Sequence, residues 1–453
     1  MSWNLPDLLL SQLYLTLSVE TPQPTRYHKL KVLLRNYVRK KGTNTSDLLQ
    51  SHVDVVFWPT EPNHLDQMFP VADLMIKNGF SVLFVTNKKK ILSLLRATTY
   101  PFYYLRGILA SSYSIAKVIQ KDLTSITAVV SNLIGHNSTK VLGELSRSIP
   151  ELANLITFTK HLINQLQPVV FMVGYDITIE GRVAARICAQ HRVFNCAIQH
   201  GEMSSPLNSY HVVDTYFVFG STVKRRLEKL NGRTKFYITG PPYLDARKKG
   251  VGILTNIPLK LAMREGLPYV LVCFSGPGNN TSFKHHAQMV ETLFLLHQQR
   301  NNINIVVKLH PKDKFSFYST YLKKYTNATI RVVESTEEEL PKSIFDWLYS
   351  SSLLITGGSM VAIEAMALGI PVISLDILGE YSHIEFIQSG ACISVTDASG
   401  LVAAVDNLLS NPNAYASEKK RMAGYVKEYF YEPPEGAAQC CVDYLVKRMK
   451  CAE

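Results

Sequence analysis

The chain lacks the patterns that mark several common protein classes. Its 453 residues contain no run of about eighteen apolar residues, so the sequence predicts no transmembrane helix. The seven cysteines include no Cys-x-x-Cys pair and are odd in number, which argues against both a zinc site and a disulfide framework. The N-terminus has no cationic stretch before its interrupted apolar run, unlike a signal peptide. These absences together predict a cytoplasmic protein.

Acidic residues are also in short supply, with 36 Asp and Glu against 48 Lys and Arg and a formal charge of +12. This balance favours an anionic partner, such as a phosphorylated ligand or an acidic membrane surface. The sequence shows no helix-turn-helix and no basic tract with interleaved aromatic residues, so we expect no nucleic-acid partner. Residues 26–41 predict a basic amphipathic helix. This helix either packs on its own domain or docks on the inner face of an anionic membrane. In the second case the chain would be a peripheral membrane protein.

What is present is an alternation of strand and helix patterns in two series. This order predicts an α/β protein with two facing Rossmann-like parallel-sheet domains and a ligand cleft between them. Residues 89–167 are predicted to be mainly helical. The predicted parts are an N-terminal helical extension (1–50), a first Rossmann-like domain (51–245), a linker region (246–266), a second Rossmann-like domain (267–425) and a C-terminal helix crossing back to the first domain (426–453).

Polar stretches follow several predicted strands of the second domain, where open α/β sheets bind ligands. One is Ser-Gly-Pro-Gly-Asn-Asn (275–280), and another is the His-Pro-Lys segment that ends the strand "INIVVKLHP". Each is also compatible with an ordinary loop. The strongest stretch is "TGGSMVAIEA", in which a glycine-rich turn would offer backbone amides to a phosphate and a glutamate would accept hydrogen bonds from a ribose. The predicted nucleotide contacts are Ser275, Gly276, Gly278, Asn279, His310, Pro311, Lys312, Gly357, Gly358, Ser359 and Glu364.

The pattern Ser-x4-Glu-Ala-x3-Gly-x-Pro-Val (359–372) resembles the nucleotide-sugar signature of GT-B glycosyltransferases and of the related UDP-N-acetylglucosamine 2-epimerases. By that resemblance, the glycine turn holds the diphosphate and Glu364 holds the ribose. The His-Pro pair is similar to that of bacterial sialyl-, polysialyl- and Kdo transferases and CDP-glycerol-type polymerases, where the histidine meets a nucleotide phosphate. The resemblance therefore implies a surface-polysaccharide enzyme that uses a nucleotide sugar as substrate and needs no cofactor.

The first domain is expected to supply the catalytic groups. "AIQHG" resembles a segment of surface-polysaccharide transferases in which the histidine, here His200, faces the cleft. An acceptor hydroxyl needs a general base. Glu180, which precedes Gly181 as one acid of the pair in the polysialyltransferase pattern, is the first candidate and Asp176 the second. Glu180 is equally compatible with a helix N-terminal charge. The residues expected near an acceptor or donor sugar are His64, Asp66, Tyr381 and His383.

No Asp-x-Asp pair lies beside a nucleotide-like loop, so we predict no metal site and expect electrostatic stabilisation of the leaving phosphate. These patterns predict a glycosyltransferase that moves a sugar from a CMP- or UDP-activated donor to a glycan or lipid-linked acceptor, with inversion. One alternative is an enzyme like the UDP-N-acetylglucosamine 2-epimerases, although the chain lacks their fuller pattern of acids and histidines. The other alternative is a non-catalytic protein that binds a nucleotide sugar or polyanion.

Overall fold

The computed structural model describes most of the chain from residue 52 onward. The described residues are 52–105, 138–203, 211–248, 261, 263–278, 281–310, 313–324, 330–334, 343–433 and 435–450. The predicted extension (1–50) with its basic helix (26–41) lies outside them, as does most of the predicted linker region. Within the described stretches, no helix is long and apolar enough to cross a bilayer.

The described residues form two compact units. The first contains those up to His200, those of 211–248 and those from Tyr431 onward, and the second contains 201–203 and those from 261 to Phe430. Each unit is built on one parallel sheet, which confirms the prediction of two parallel-sheet α/β domains.

The first unit contains a seven-stranded sheet with the order β3-β2-β1-β4-β5-β6-β7. Its strands are β1 (Val55–Trp58), β2 (Val82–Thr86), β3 (Phe102–Tyr104), β4 (Val170–Val173), β5 (Phe194–Ile198), β6 (Thr215–Val218) and β7 (Lys235–Ile238). Its helices up to residue 248 are α1 (Pro62–Lys77), α2 (Lys89–Leu95), α3 (Ser138–Leu166), α4 (Ile179–His191), α5 (Ser221–Leu230) and α6 (Pro242–Lys248).

The second unit contains a six-stranded sheet with the order β10-β9-β8-β11-β12-β13. Its strands are β8 (Tyr269–Cys273), β9 (Asn304–Lys308), β10 (Ile330–Val333), β11 (Leu353–Thr356), β12 (Val372–Leu375) and β13 (Ile393–Val395). Its helices are α7 (Phe283–Gln299), α8 (Ser316–Lys324), α9 (Ile344–Tyr349), α10 (Val361–Ala367), α11 (Glu385–Gln388), α12 (Ala398–Ser410) and α13 (Pro412–Tyr429).

The central strands are apolar because helices cover a parallel sheet on both faces. Every residue of β1, β4, β8 and β11 is buried. The strand order reverses between β1 and β4 in the first unit and between β8 and β11 in the second. Ligands of open parallel sheets bind beyond the carboxyl ends of the strands at such a reversal. Each unit therefore has one favoured edge for a site.

Local details differ from the sequence prediction. Helix α1 begins at Pro62, because proline fits the first helical position and the His64 side chain accepts the N–H of Glu61. Strand β3 lies inside a region predicted to be mainly helical. Strand β13 has only three residues and no marked apolar pattern, so its sequence did not predict it.

The last helix, α14 (Ala437–Lys450), belongs to the first unit. Its apolar residues Cys441, Val442 and Leu445 are buried in the same core as Leu65 and Met68 of α1. The Asp245 side chain accepts the backbone N–H of Ala438 at 2.8 Å, which satisfies one of the unpaired donors at the start of the helix. The end of the chain therefore completes the core begun by β1 and α1.

We expect Leu445→Ala to lower the free energy of unfolding by about 2–5 kcal/mol, because it leaves a cavity beside α1. The measurement is urea unfolding followed by circular dichroism. Lys447→Ala, an exposed position on the same helix, is the control and should change stability by less than about 0.5 kcal/mol. Equal stability of the two variants would contradict the assigned packing of α14.

Candidate functional site

The reversal point of the first sheet carries a group of polar side chains on the segments that follow β1, β2, β4 and β5. They include four residues predicted from the sequence and three that were not. The predicted residues are His64, Asp176, Glu180 and His200, and the additional ones are Asn87, Lys88 and His211.

Asp176 is completely buried, and both of its carboxylate oxygens have partners. One oxygen lies 2.7 Å from Nδ1 of His211, and the other accepts the backbone N–H groups of Val212 (2.7 Å) and Val213 (3.2 Å). Burial disfavours the charged carboxylate, but His211, the backbone N–H of Val212 and Arg182 together outweigh this and lower the pKa of Asp176. The carboxylate thereby orients the His211 ring, whose Nε2 is buried and has no hydrogen-bond partner among the described residues.

Glu180 lies in the first turn of α4 and is buried. Its Oε1 is 2.7 Å from Nζ of Lys88 and accepts a hydrogen bond from Nδ2 of Asn87 at 3.0 Å. Burial opposes the positive charge of Lys88, but Glu180, with smaller contributions from Glu151 and Glu61, outweighs this effect and raises the pKa of the lysine. The structure therefore gives Glu180 partners from the segment after β2, beyond any interaction with its own helix.

His64 and His200 contact each other at the same edge. Their ring centroids lie 4.2 Å apart in an edge-to-face arrangement. The ring of His64 covers Gly174, where a Cβ atom would lie only 2.0 Å from Nδ1 of the histidine. His200 is half-buried and also contacts the ring of Tyr175. Glycine at 174 thus allows the segments after β1 and β4 to approach closely.

Both histidines are held in the neutral form at pH 7. Burial and the charge of His211 lower the pKa of His200 to about 4. Burial and His200 lower the pKa of His64 well below the ordinary value. Neutral imidazole can accept a proton or donate one hydrogen bond, which suits both to acid–base or polar contact with a substrate. Asp66, the remaining candidate of this region, is exposed on α1.

In the second unit, the loops predicted to bind a nucleotide contact one another. The Thr356 hydroxyl donates to the carbonyl of Cys273 at 2.6 Å, which ties the end of β11 to the end of β8. Gly276 adopts a φ of +70°, and a Cβ atom there would lie 2.8 Å from Cα of Asp313. The loop after β8 therefore packs directly on the turn after β9.

The glycine pair after β11 is required by protein packing. A Cβ atom on Gly357 would lie 2.5 Å from the ring of Tyr381, and one on Gly358 would lie 1.9 Å from Ile384. Tyr381 is buried, and its hydroxyl shares a 2.7 Å hydrogen bond with Thr281. The absence of a side chain at both glycines therefore admits Tyr381, so the glycine pattern alone does not demonstrate phosphate binding.

Two adjacent histidines at the start of α7 connect these loops to carboxylates. Nδ1 of His285 lies 3.0 Å from Glu380, and Nε2 of His286 lies 3.2 Å from Asp313. Asp313 also accepts a 2.7 Å hydrogen bond from the Tyr318 hydroxyl. The first turn of α7 thus holds the loops after β9 and β12. The sequence analysis missed both histidines, although a His-His pair opening a buried helix is a detectable signal.

The other predicted nucleotide and sugar residues lie on these same loops or beside them. The backbone carbonyl of His310 accepts the N–H of Asp313 at 2.8 Å, and its side chain is exposed. Glu364 is half-buried on α10, and His383 is exposed after β12. Ser275 and Gly278 follow β8, and Ser359 follows β11. Asn279, Pro311 and Lys312 lie outside the described residues. Within the described part of the chain, no three His, Cys, Asp or Glu side chains form a metal-binding group.

The chain is similar to a family of nucleotide-sugar enzymes. Residues 209–430 match a family model described as UDP-N-acetylglucosamine 2-epimerase, and this range includes every strand of the second sheet. No curated protein matches the chain in sequence.

Solved structures of such enzymes share the fold. UDP-GlcNAc 2-epimerase from Neisseria meningitidis bound to UDP-GlcNAc is 14% identical with a TM-score of 0.58, over 87% of this chain and 99% of that chain. The complex of MnaA from S. aureus with UDP is 15% identical with a TM-score of 0.58, over 88% and 97%. A glycosyltransferase from Rickettsia africae ESF-5 is 12% identical with a TM-score of 0.56, over 88% and 99%. These similarities confirm the predicted GT-B fold.

The glycosyltransferase prediction is wrong, because the family match over residues 209–430 favours the epimerase alternative. The sequence patterns misled because they concern the nucleotide and not the reacting sugar. The pattern at 359–372, which is predicted to contact the nucleotide, resembles that of both glycosyltransferases and epimerases. The reaction depends on groups around the sugar. Without a glycosyltransferase reaction, there is no longer a reason to expect a glycan or lipid-linked acceptor. The resemblance to His-Pro transferases stays a prediction.

His200 should make the stability of the protein depend on pH. The unfolded chain binds a proton at this histidine near pH 6.5, whereas the folded chain does so only near pH 4. Folding stability should therefore fall as the pH falls from 6.5 to 4. In urea unfolding measured at a series of pH values, we expect His200→Asn to reduce the change of unfolding free energy with pH. His191→Asn, at the exposed end of α4, should leave this pH dependence unchanged. Parallel slopes for the wild type and His200→Asn would refute the lowered pKa.

The Asp313 contacts give a second prediction. Asp313→Ala leaves the buried polar groups of both His286 and Tyr318 without their carboxylate partner and should cost about 1–3 kcal/mol of stability for each. Tyr318→Phe removes only one hydrogen bond to the same carboxylate and should cost about 1 kcal/mol. Denaturant unfolding monitored by fluorescence measures both. A loss for Tyr318→Phe as large as that for Asp313→Ala would contradict the central role of the His286 contact.

Proposed function

We propose that the protein is an epimerase that inverts C2 of the amino sugar in UDP-N-acetylglucosamine or a close relative. The observation that carries this proposal is the family match over residues 209–430. The Neisseria meningitidis epimerase, which has the same fold, is described as bound to UDP-GlcNAc. The substrate is thus a nucleotide sugar, and no separate acceptor molecule is needed.

The second unit is proposed to bind the UDP moiety at the carboxyl ends of β8, β9 and β11. The loop at Ser275–Gly278 and the turn Gly357–Ser359 would offer backbone N–H groups to the diphosphate. His310, exposed at the end of β9, would contact a phosphate oxygen. Glu364 would accept hydrogen bonds from the ribose hydroxyls. The contacts of Tyr381 and Asp313 with these loops support the proposal, because they hold the loops in one arrangement before ligand binds.

The first unit is proposed to act on the sugar. Inversion at C2 requires that the C2 proton leave and that a proton return to the opposite face, so the site needs groups that accept and donate protons. Glu180, His200 and the Asp176–His211 pair supply such groups at one sheet edge. Three of these residues were predicted from the sequence, and His211 is the one that the sequence patterns did not reveal. In this set, Asp176 orients His211, while Glu180 and His200 are the proposed catalytic residues.

An epimerase should exchange the C2 hydrogen with solvent. We expect proton NMR of UDP-N-acetylglucosamine in D2O with the enzyme to show deuterium at C2 and formation of UDP-N-acetylmannosamine. Glu180→Gln should slow both processes by at least about 100-fold, the usual size of general acid–base catalysis. Binding of UDP-N-acetylglucosamine without exchange or epimer would refute the epimerase and leave a non-catalytic nucleotide-sugar protein.

UDP should bind the second unit. Because a ligand stabilises the state that binds it, UDP at 100 times its dissociation constant should add about 2.7 kcal/mol of stability, measured as a thermal shift. We expect Glu364→Gln to reduce this shift and Glu291→Gln, an exposed position on α7, to retain it. An equal shift with CMP, which has a different base and one phosphate, would contradict the choice of UDP.

A further inference from the structure

His64 has a fixed tautomer. Its Nδ1 lies 3.1 Å from the backbone nitrogens of both Thr60 and Glu61, at the start of α1. Backbone N–H groups only donate, so Nδ1 must be the unprotonated nitrogen of the ring. In neutral imidazole the proton then resides on Nε2. The local structure of α1 therefore makes Nε2 of His64 a hydrogen-bond donor.

This donor has no acceptor in the described part of the chain. His64 is 1% exposed, and its Nε2 is buried without a hydrogen-bond partner there. A buried donor without an acceptor is unfavourable by about 1–3 kcal/mol, and buried polar groups in folded proteins are nearly always paired. Helix capping explains Nδ1 but leaves Nε2 unexplained. The arrangement is that of a donor awaiting a ligand atom.

The surroundings select an uncharged oxygen as that ligand atom. His64 remains neutral, since burial and His200 lower its pKa well below the ordinary value. It therefore offers a hydrogen bond without the positive charge that favours a phosphate. The neighbouring ring of His200, whose pKa is lowered to about 4, is neutral as well and adds no positive charge at this point. A hydroxyl or an amide carbonyl is the acceptor that fits.

The position of His64 also suits a ligand contact. Its ring covers Gly174 at the reversal point between β1 and β4, the edge at which parallel sheets bind ligands. His200, whose own buried Nδ1 has no partner among the described residues, contacts the same ring. Two neutral imidazoles with open hydrogen-bonding capacity thus meet at one point.

We propose that Nε2–H of His64 donates a hydrogen bond to an uncharged oxygen of the substrate's sugar, either a hydroxyl or the acetamido carbonyl. This contact rests on the proposed function, because the sugar is that of UDP-N-acetylglucosamine. It gives His64 a substrate-binding role, with Thr60 and Glu61 fixing the tautomer through their backbone N–H groups. These two hydrogen bonds to Nδ1 also hold the ring, and with it the Nε2–H donor, in place before substrate binds.

Two substitutions distinguish the acceptor role of Nδ1 from the donor role of Nε2. In His64→Asn, the side-chain oxygen can replace Nδ1 as acceptor of the Thr60 and Glu61 N–H groups, but the donor at the Nε2 position is lost. In His64→Gln, the longer amide can return a donor near Nε2 while losing the cap. We expect His64→Asn to keep its thermal midpoint and to bind UDP-N-acetylglucosamine about tenfold more weakly. His64→Gln should melt lower and bind more tightly than His64→Asn.

A nitrogen-15 NMR experiment on histidine-labelled full-length protein tests the contact directly. His64 should show an unprotonated Nδ1 and a protonated Nε2, assigned by comparison with His64→Asn. Adding UDP-N-acetylglucosamine should shift the Nε2–H signal, whereas UDP alone should not. A protonated Nδ1 would overturn the inference at its first step.

The outcomes separate this inference from the proposed function. Failure of wild-type protein to bind UDP-N-acetylglucosamine would refute the proposed function and the contact together. Binding with an unmoved Nε2–H signal and with wild-type affinity in His64→Asn would refute the contact alone. In that case His64 would serve only as a helix cap, with an internal water on Nε2.

Discussion

The structure depends on one constraint of parallel sheets, which is that all strands end at the same edge. Both sheets are buried on their central strands, so polar groups can occur only where those strands stop. Two carboxylates buried at these edges are paired with histidines, Asp176 with His211 and Asp313 with His286. Such pairing is required because an isolated buried charge is strongly unfavourable. The sheet geometry thus concentrates reactive side chains and also dictates their partners.

Close packing of one segment against the backbone of another, at glycine positions, is the second constraint on the structure. Gly174 admits the ring of His64, Gly357 admits Tyr381, and Gly276 admits the turn at Asp313. In each case a side chain or turn from another segment occupies the volume that a Cβ atom would need. The glycines therefore join loops to one another, and the joined loops present the polar atoms. A glycine-rich stretch in the sequence indicates such an edge without indicating which ligand meets it.

The candidate residues of the second unit were easier to predict from the sequence than those of the first unit. The nucleotide-type stretches of the second unit are short and contiguous, and their order along the chain predicted the GT-B fold, which the structural similarities confirm. The residues of the first unit come from positions far apart, such as Lys88 with Glu180 and Asp176 with His211. No local pattern joins such pairs. The wrong prediction of the reaction came from short nucleotide-type stretches, whose patterns resemble those of glycosyltransferases and epimerases alike.

The sequence by itself determined the two series of alternating strands and helices, because apolar runs of strand length and turn residues are local properties of the chain. It also located the polar stretches at strand ends, including His310, Glu180 and His200. Only the tertiary structure decided which of these groups meet and in which chemical state. His64 shows why: its tautomer depends on two backbone N–H groups, its position on the space left by Gly174, and its neutrality on burial and on His200. Two of these neighbours lie more than a hundred residues away, and folding alone brings them within contact distance.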